Sequence, residues 1–200
     1  MKILFFADIH NDESAVDNII NRVKKEKIDF LVCAGDLSEF GVGLKKLAKK
    51  LSAVVPLYII PGNHEDEEEI EELDSKFKDV YNIHLKAIKI KDVLLLGCGG
   101  GGFSHKLVPF EESKKHFKDE LKKFKDPKKA VLVTHAPPYK TKVDMVFGEH
   151  TGVMSIRKFI EKEQLGLVVC GHLHENSGKV DYIGKTKIVN PGKKGFIFKA

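Results

Sequence analysis

The chain has 200 residues, 42% of them hydrophobic, with 34 Lys and Arg against 29 Asp and Glu for a net charge of +5. This composition suits a single domain, residues 1–200, with a sizeable core. The longest apolar runs are far too short for a membrane span, Met1 leads straight into a predicted strand without a leader segment, and a cytoplasmic protein is expected. The three cysteines, Cys33, Cys98 and Cys170, form no disulfide pattern and read as small apolar residues at strand ends. Paired lysines (Lys45-Lys46, Lys49-Lys50, Lys114-Lys115, Lys122-Lys123, Lys128-Lys129) alternate with acidic residues or Leu and lack interleaved aromatics. They read as solvated helix faces rather than a nucleic-acid stripe.

In chain order, an apolar run over residues 3–7 reads as a buried strand ending in Asp8-Ile9-His10. Val16, Ile19, Ile20 and Val23 trace a helical stripe, and the next strand, residues 30–34, ends in Gly35-Asp36. Leu44, Leu47 and Leu51 mark a second helix; residues 57–60 form a strand ending in Gly62-Asn63-His64-Glu65, and Ile70, Leu73 and Phe77 a third helix. Strands are expected over 87–90 and 93–98, with Asp92 in the turn, followed by Gly99-Gly100-Gly101-Gly102 as a flexible strand exit. Phe117, Leu121 and Phe124 face inward from a long helix, and the strand at 130–133 ends in His135-Ala136-Pro137-Pro138. The connection from His135 to Thr151 is long enough to shape substrate access, with Thr151 as the expected cap of a helix carrying Val153, Ile156, Phe159 and Ile160. A strand at 167–170 ends in Gly171-His172-Leu173-His174, and the tail reads as hairpin strands turning at Gly184 and Pro191-Gly192.

Five strand ends thus carry Asp, Asn or His, and open sheets place their sites just past the carboxyl ends of strands. Imidazole and carboxylate together suit borderline divalent ions, Mn first, with Fe, Ni, Zn or Co as alternatives. In Asp-x-His and His-x-His, alternate side chains share one side of an extended chain. Asp36, with two carboxylate oxygens, is the natural bridge between two ions. Two divalent ions with Asp8, Asp36 and neutral Asn and His leave a centre of about +2, which favours a phosphate anion and a bridging hydroxide. Ions roughly 3.5–4 Å apart can clamp both oxygens of an in-line displacement.

The ordered string resembles the calcineurin-like metallophosphoesterase superfamily, whose motifs are Asp-x-His, Gly-Asp, Gly-Asn-His-Asp/Glu, His and Gly-His-x-His; the match spans residues 8 to 174. The resemblance implies an α/β fold, a four-layer αββα sandwich. It implies one metal on Asp8, His10, Asp36 and His174 and a second on Asp36, Asn63, His135 and His172. His64 would be catalytic, near the leaving-group oxygen, with Glu65 orienting it. Leu37-Ser38-Glu39 stands where protein phosphatases of the superfamily have Asp-Arg-Gly, and the absent Arg favours a diester over a terminal phosphate. The compact size resembles small prokaryotic phosphodiesterases, with in-line hydrolysis of a small phosphodiester and His64 as general acid. The enzymatic alternative is a phosphomonoesterase or small nuclease. A protein-binding scaffold such as the retromer subunit is the minor reading, because such relatives lack the His kept here as His64. Nucleic acid is not indicated, no membrane partner is expected, and a homo-oligomer is left open. His84 and His116 read as packing or surface residues; His105 and His150 lie in loops that could overhang the site.

Overall fold

Side-chain alternation within the strands decides the layering. In the first strand, Ile3 and Phe5 belong to one buried cluster while Leu4 and Phe6 belong to another. The same split recurs in most strands of the two large sheets, which therefore contribute to two cores at once. The computed structural model describes residues 1–101 and 106–200; the expectations for Gly102 and His105 lie outside these residues.

The elements are β1 (Lys2–Phe6), α1 (Glu13–Glu26), β2 (Phe30–Cys33), α2 (Leu44–Ser52), β3 (Leu57–Ile59), α3 (Glu67–Lys76), β4 (Val80–Asn82), β5 (Ala87–Ile90), β6 (Val93–Cys98), α4 (Val108–Lys123), β7 (Ala130–Thr134), β8 (Met145–Val146), β9 (Glu149–His150), α5 (Met154–Glu163), β10 (Leu167–Val169), β11 (Val180–Ile183), β12 (Thr186–Val189) and β13 (Phe196–Lys199). One sheet has the order β13-β1-β2-β3-β4 and the other β11-β12-β10-β7-β6-β5. Within them β1 to β4 run parallel, as do β6, β7, β10 and β12, while β5, β11 and β13 pair antiparallel at edges.

Between the sheets lie Phe5, Val32, Leu95, Val131 and Val169, among others. Outside the first sheet, α1, α2 and α3 bury Val16, Ile19, Leu47, Leu51, Ile70 and Leu73; outside the second, α4 and α5 bury Phe110, Phe117, Ile156 and Phe159. Each such side chain, fully buried, contributes about 1.5–3 kcal/mol. The result is the expected αββα sandwich.

Register aligns the strand ends that matter. Phe6 sits opposite Cys33, and Cys33 opposite Ile59, so the segments carrying Asp8, Asp36 and Asn63 leave the first sheet at one edge. In the second sheet Val133 lies opposite Val169, which brings His135 and the Gly171 turn together; Gly171 N–H donates to the His135 carbonyl at 2.9 Å.

Two expectations need correction. The tail is not one continued hairpin: β11 and β12 form one, but β13 crosses to the other sheet and pairs with β1, where Phe196 and Phe198 face the intersheet core. Thr151 does not cap α5; Val153 holds that position, and the Thr151 hydroxyl donates to the Asp144 carbonyl. At the strand exit Gly99 packs on Pro61 and Gly100 N–H donates to the Pro61 carbonyl at 3.0 Å. The paired lysines do lie on solvated faces, where Lys45, Lys46 and Lys50 of α2 meet Glu72, Glu13 and Asp17 of the neighbouring helices. No described helix is long and apolar enough to cross a membrane.

Candidate metal centre

The chain bends sharply as it leaves each strand, and the bend aims the side chains. Asp8, His10, Asp36 and His172 all have left-handed backbone, with φ of 57°, 48°, 52° and 72°. Such conformations cost roughly 1–3 kcal/mol each for residues with a Cβ and persist only where the surroundings enforce them. Enforcement here comes from close backbone approach. A Cβ on Gly62 would lie 1.9 Å from Asp36 Oδ1, and one on Gly171 would lie 3.0 Å from both Asp8 carboxylate oxygens. Glycine is required at Gly62 because the loop touches the carboxylate directly, and at Gly171 because a Cβ would also lie 2.7 Å from that of Ala7.

Asp8, His10, Asp36 and His174 each offer a ligand atom within 4.8 Å of the others. The Nε2 atoms of His10 and His174 face one another at 2.9 Å, with Asp36 Oδ2 3.5 Å from His10 and Asp8 Oδ1 3.9 Å from His174. Asp8 Oδ1 accepts from His172 N–H, while Oδ2 is buried with no hydrogen-bond partner. A buried carboxylate oxygen without a donor, beside two imidazole nitrogens pointing at each other, fits a shared cation. On the other side of Asp36, His135 Nε2 lies 3.2 Å from Asp36 Oδ2 and 3.0 Å from Asn63 Oδ1, and His172 Nδ1 lies 2.8 Å from the same Asn63 oxygen. The structure therefore brings together all seven residues that the sequence assigns to metal, in two groups that share Asp36.

His135 is fully buried, and its Nδ1 is held by the Ala34 carbonyl at 2.8 Å, which directs Nε2 at Asp36. Burial alone would raise the Asp36 carboxyl, but the hydrogen bond and charge of His135 bring it down to about 2. Burial would likewise lower His135, but Asp36 lifts it to about 9. A proton held in this pair must leave before His135 can donate its lone pair, so cation uptake is coupled to proton release. His172 is driven down to about 4, first by burial and then by His135, and is a neutral imidazole at neutral pH.

His64 lies beside this centre, its ring edge-on to His10 at 4.7 Å between centroids. Glu65 does not orient it. The Glu65 carboxylate is buried and accepts from Ser38 N–H at 2.7 Å, Ser38 hydroxyl at 3.0 Å, and the N–H groups of Asp36 and Gly62 at 3.0 Å each. It ties the Asp36 loop to the Gly62 loop, because the parallel β2–β3 pair places those backbones side by side with their donors unpaired. The carboxylate that meets His64 is Glu39, whose Oε2 lies 3.1 Å from His64 Nδ1 and whose Oε1 lies 3.0 Å from His10 Nδ1. Sequence reasoning missed Glu39; its spacing of three residues from Asp36 was the available signal. Phe40 covers His64 at 4.4 Å between ring centroids.

Of the other histidines, His84 is buried, accepting from Gly99 N–H and facing Glu67, whereas His116 is exposed. His150 is held by Asp144 at 2.7 Å. Asp144, also missed, is buried and organises the long connection by accepting from the N–H groups of Lys140, Thr141 and Gly152. All three cysteines are buried, and burial pushes the Cys98 thiol up to about 12.

The calcineurin-like phosphoesterase family matches residues 1–176. An uncharacterized Methanocaldococcus jannaschii protein, MJ1162, is 37% identical over 98% of this chain and 90% of its own length. The probable glycerophosphodiester phosphodiesterase GpdQ of Arcobacter nitrofigilis is 31% identical over 85% of this chain, a match spanning 65% of that relative. The crystal structure of TT1561 of Thermus thermophilus superposes with a TM-score of 0.75 at 16% identity, covering 96% of this chain and 90% of that one. With its motifs at one edge of an αββα sandwich and its sequence matched over most of its length, the chain belongs to the calcineurin-like phosphoesterase family.

Proposed function

We propose that this 200-residue chain is a single-domain phosphodiesterase that uses two divalent ions. Asp8, His10, Asp36 and His174 would hold one ion, and Asp36, Asn63, His135 and His172 the other. The observation that carries this reading is the convergence of His10 Nε2 and His174 Nε2, 2.9 Å apart, on two buried carboxylates, with Asp8 Oδ2 left without a donor, a donor set that suits a common cation. Manganese suits a donor set of imidazole, carboxylate and amide oxygen without thiolate, and Fe, Ni, Zn or Co would serve. When bound, such ions acidify water and draw charge from a phosphate.

The protein's own groups do the rest. Asp36 Oδ2 faces His10 on one side and His135 on the other, while Oδ1 accepts from the His64 N–H at 3.0 Å. The Ala34 carbonyl holds the outer nitrogen of His135, which fixes that ring's orientation, and the Glu39 carboxylate lies 3.0 Å from His10 Nδ1. The Glu39 carboxylate, 3.1 Å from His64 Nδ1, would offset the charge of a doubly protonated ring, whose Nε2–H would then serve the departing oxygen. A centre of about +2 suits a diester monoanion, and the relative named a probable glycerophosphodiester phosphodiesterase supports the same choice.

The test uses bis(4-nitrophenyl) phosphate and 4-nitrophenyl phosphate. Diester hydrolysis should stop on chelation, return with Mn²⁺, and show the higher kcat/KM; a clear preference for the monoester would overturn the diester assignment. For His64→Gln, the loss should be about 10²–10⁴-fold with an alkyl leaving group and much smaller with nitrophenolate, which needs no proton. Equal losses would remove the acid role from His64.

A further inference from the structure

Two cavities meet at a pair of lysines that the family motifs do not include. The first, about 410 Å³, is lined by Asp8 and His174 of the metal centre together with Ser177, Lys193 and Lys194; His64 is not in its lining. The second, about 520 Å³, shares Lys193 and Lys194 and continues along α1 past Asn18, Asn21, Arg22 and Lys25. Together they form a groove that starts at the Asp8–His174 edge and runs away along a surface rich in cations and amides.

The turn carrying these lysines is fixed in place. Gly192 accepts from Ala7 N–H at 3.2 Å, immediately before Asp8, and its own N–H donates to Asn190 Oδ1 at 3.0 Å. Gly195 N–H closes back on the Pro191 carbonyl at 3.1 Å, and the Arg22 guanidinium donates to the carbonyls of Lys194 and Gly195. The backbone that sets Asp8 thus also sets the dilysine turn. Lys193 reaches Asp12 at 3.3 Å, whereas Lys25 and Lys194 contact no carboxylate among the described residues. Asp12, paired with Lys193, is the one acid among the side chains lining the second cavity; Arg22 meets Glu26 outside the lining at 3.9 Å.

We infer that this groove is a subsite for a second phosphate of the substrate, on the arm of the diester that points away from His64. The natural substrate class is then a diester carrying a further phosphoryl group, not a diester of two neutral alcohols. The inference rests on the phosphodiesterase reading and narrows it. Ammonium groups and neutral Asn amides recognise a phosphate by charge and donated hydrogen bonds, and hydrogen bonds to charged groups are the strong ones.

The test compares the 4-nitrophenyl 5′-phosphodiester of thymidine with the same compound bearing a 3′-phosphate, using the metal-loaded full chain. The 3′-phosphorylated diester should show about tenfold higher kcat/KM at low ionic strength, and the advantage should shrink as salt screens it. In K193Q/K194Q, both exposed positions, the ratio should fall to near one. A wild-type ratio near one, or a ratio retained in the variant, would overturn the subsite. Calorimetric titration with thymidine 3′,5′-bisphosphate and thymidine 5′-monophosphate separates this from the activity itself. If neither diester is cleaved, the phosphodiesterase reading fails; tighter binding of the bisphosphate, lost in K193Q/K194Q, would still support the subsite, and equal affinities would refute it.

Discussion

The two halves of the proposed metal centre meet at Asp36 but are built on different terms. On one side stand Asp8 and two imidazoles, with the His174 side chain 56% exposed and Asp8 unpartnered at Oδ2. On the other side the second acid is replaced by the neutral amide of Asn63, while His135 is wholly buried and locked to Ala34. The first half therefore offers a cation the charge of Asp8 as well as a share of Asp36, and the second only its share of Asp36. Charge count dominates cation attraction at short range, so the Asp8 half should bind first and more tightly. The second half relies on a prearranged imidazole and must also lose the proton held between His135 and Asp36.

The comparison breaks most completely at the shared residue. Asp36→Ala would remove the proposed ligand of both halves, and the several kcal/mol that metal coordination contributes to the transition state corresponds to a rate loss on the order of 10³-fold or more. Steady-state hydrolysis with saturating Mn²⁺ checks this; a loss under tenfold would mean that Asp36 does not bridge. Next comes Glu65→Gln. The amide keeps one acceptor oxygen and turns an NH₂ toward backbone donors, leaving groups unsatisfied at about 1–3 kcal/mol each. The variant should melt earlier and lose about 10–100-fold in metal affinity, since it loosens the loop behind the ligands. Unchanged melting would show that the Asp36 and Gly62 loops hold without it. The smallest effect should come from Asn63→Asp, which gives the weaker half its own carboxylate. Its second ion should bind several-fold tighter, with the first little changed; tightening of the first ion instead would reverse the assignment of Asn63.

How much of this is legible in the sequence depends on how local the cause is. The strand-to-motif junctions are legible because an apolar run of four or five residues ending in Asp, Asn or His carries both the buried strand and its exit. Stripes such as Leu44, Leu47 and Leu51 are legible for the same reason, all three being buried on one face of α2. Glu39 is not. It reaches His10 and His64 only because the chain folds back through left-handed Phe40 and Gly41, at φ of 49° and 74°. Adjacency in sequence suggests that Glu65 serves His64, yet its partners are set by the register of β2 against β3. The final strand is misread from sequence because β13 pairs with β1, from the opposite end of the chain, and nothing near Phe196 encodes that partner. Proximity of the dilysine turn to Asp8 has the same long-range origin, through the Ala7–Gly192 hydrogen bond.

The most direct test of a two-metal centre with unequal halves is calorimetric titration of the chelator-stripped protein with Mn²⁺, alongside Asn63→Ala. The wild type should bind two ions per chain in two resolved steps, and Asn63→Ala should retain the tighter step and lose the weaker one. A single ion per chain in the wild type, or two undiminished steps in Asn63→Ala, would contradict the account.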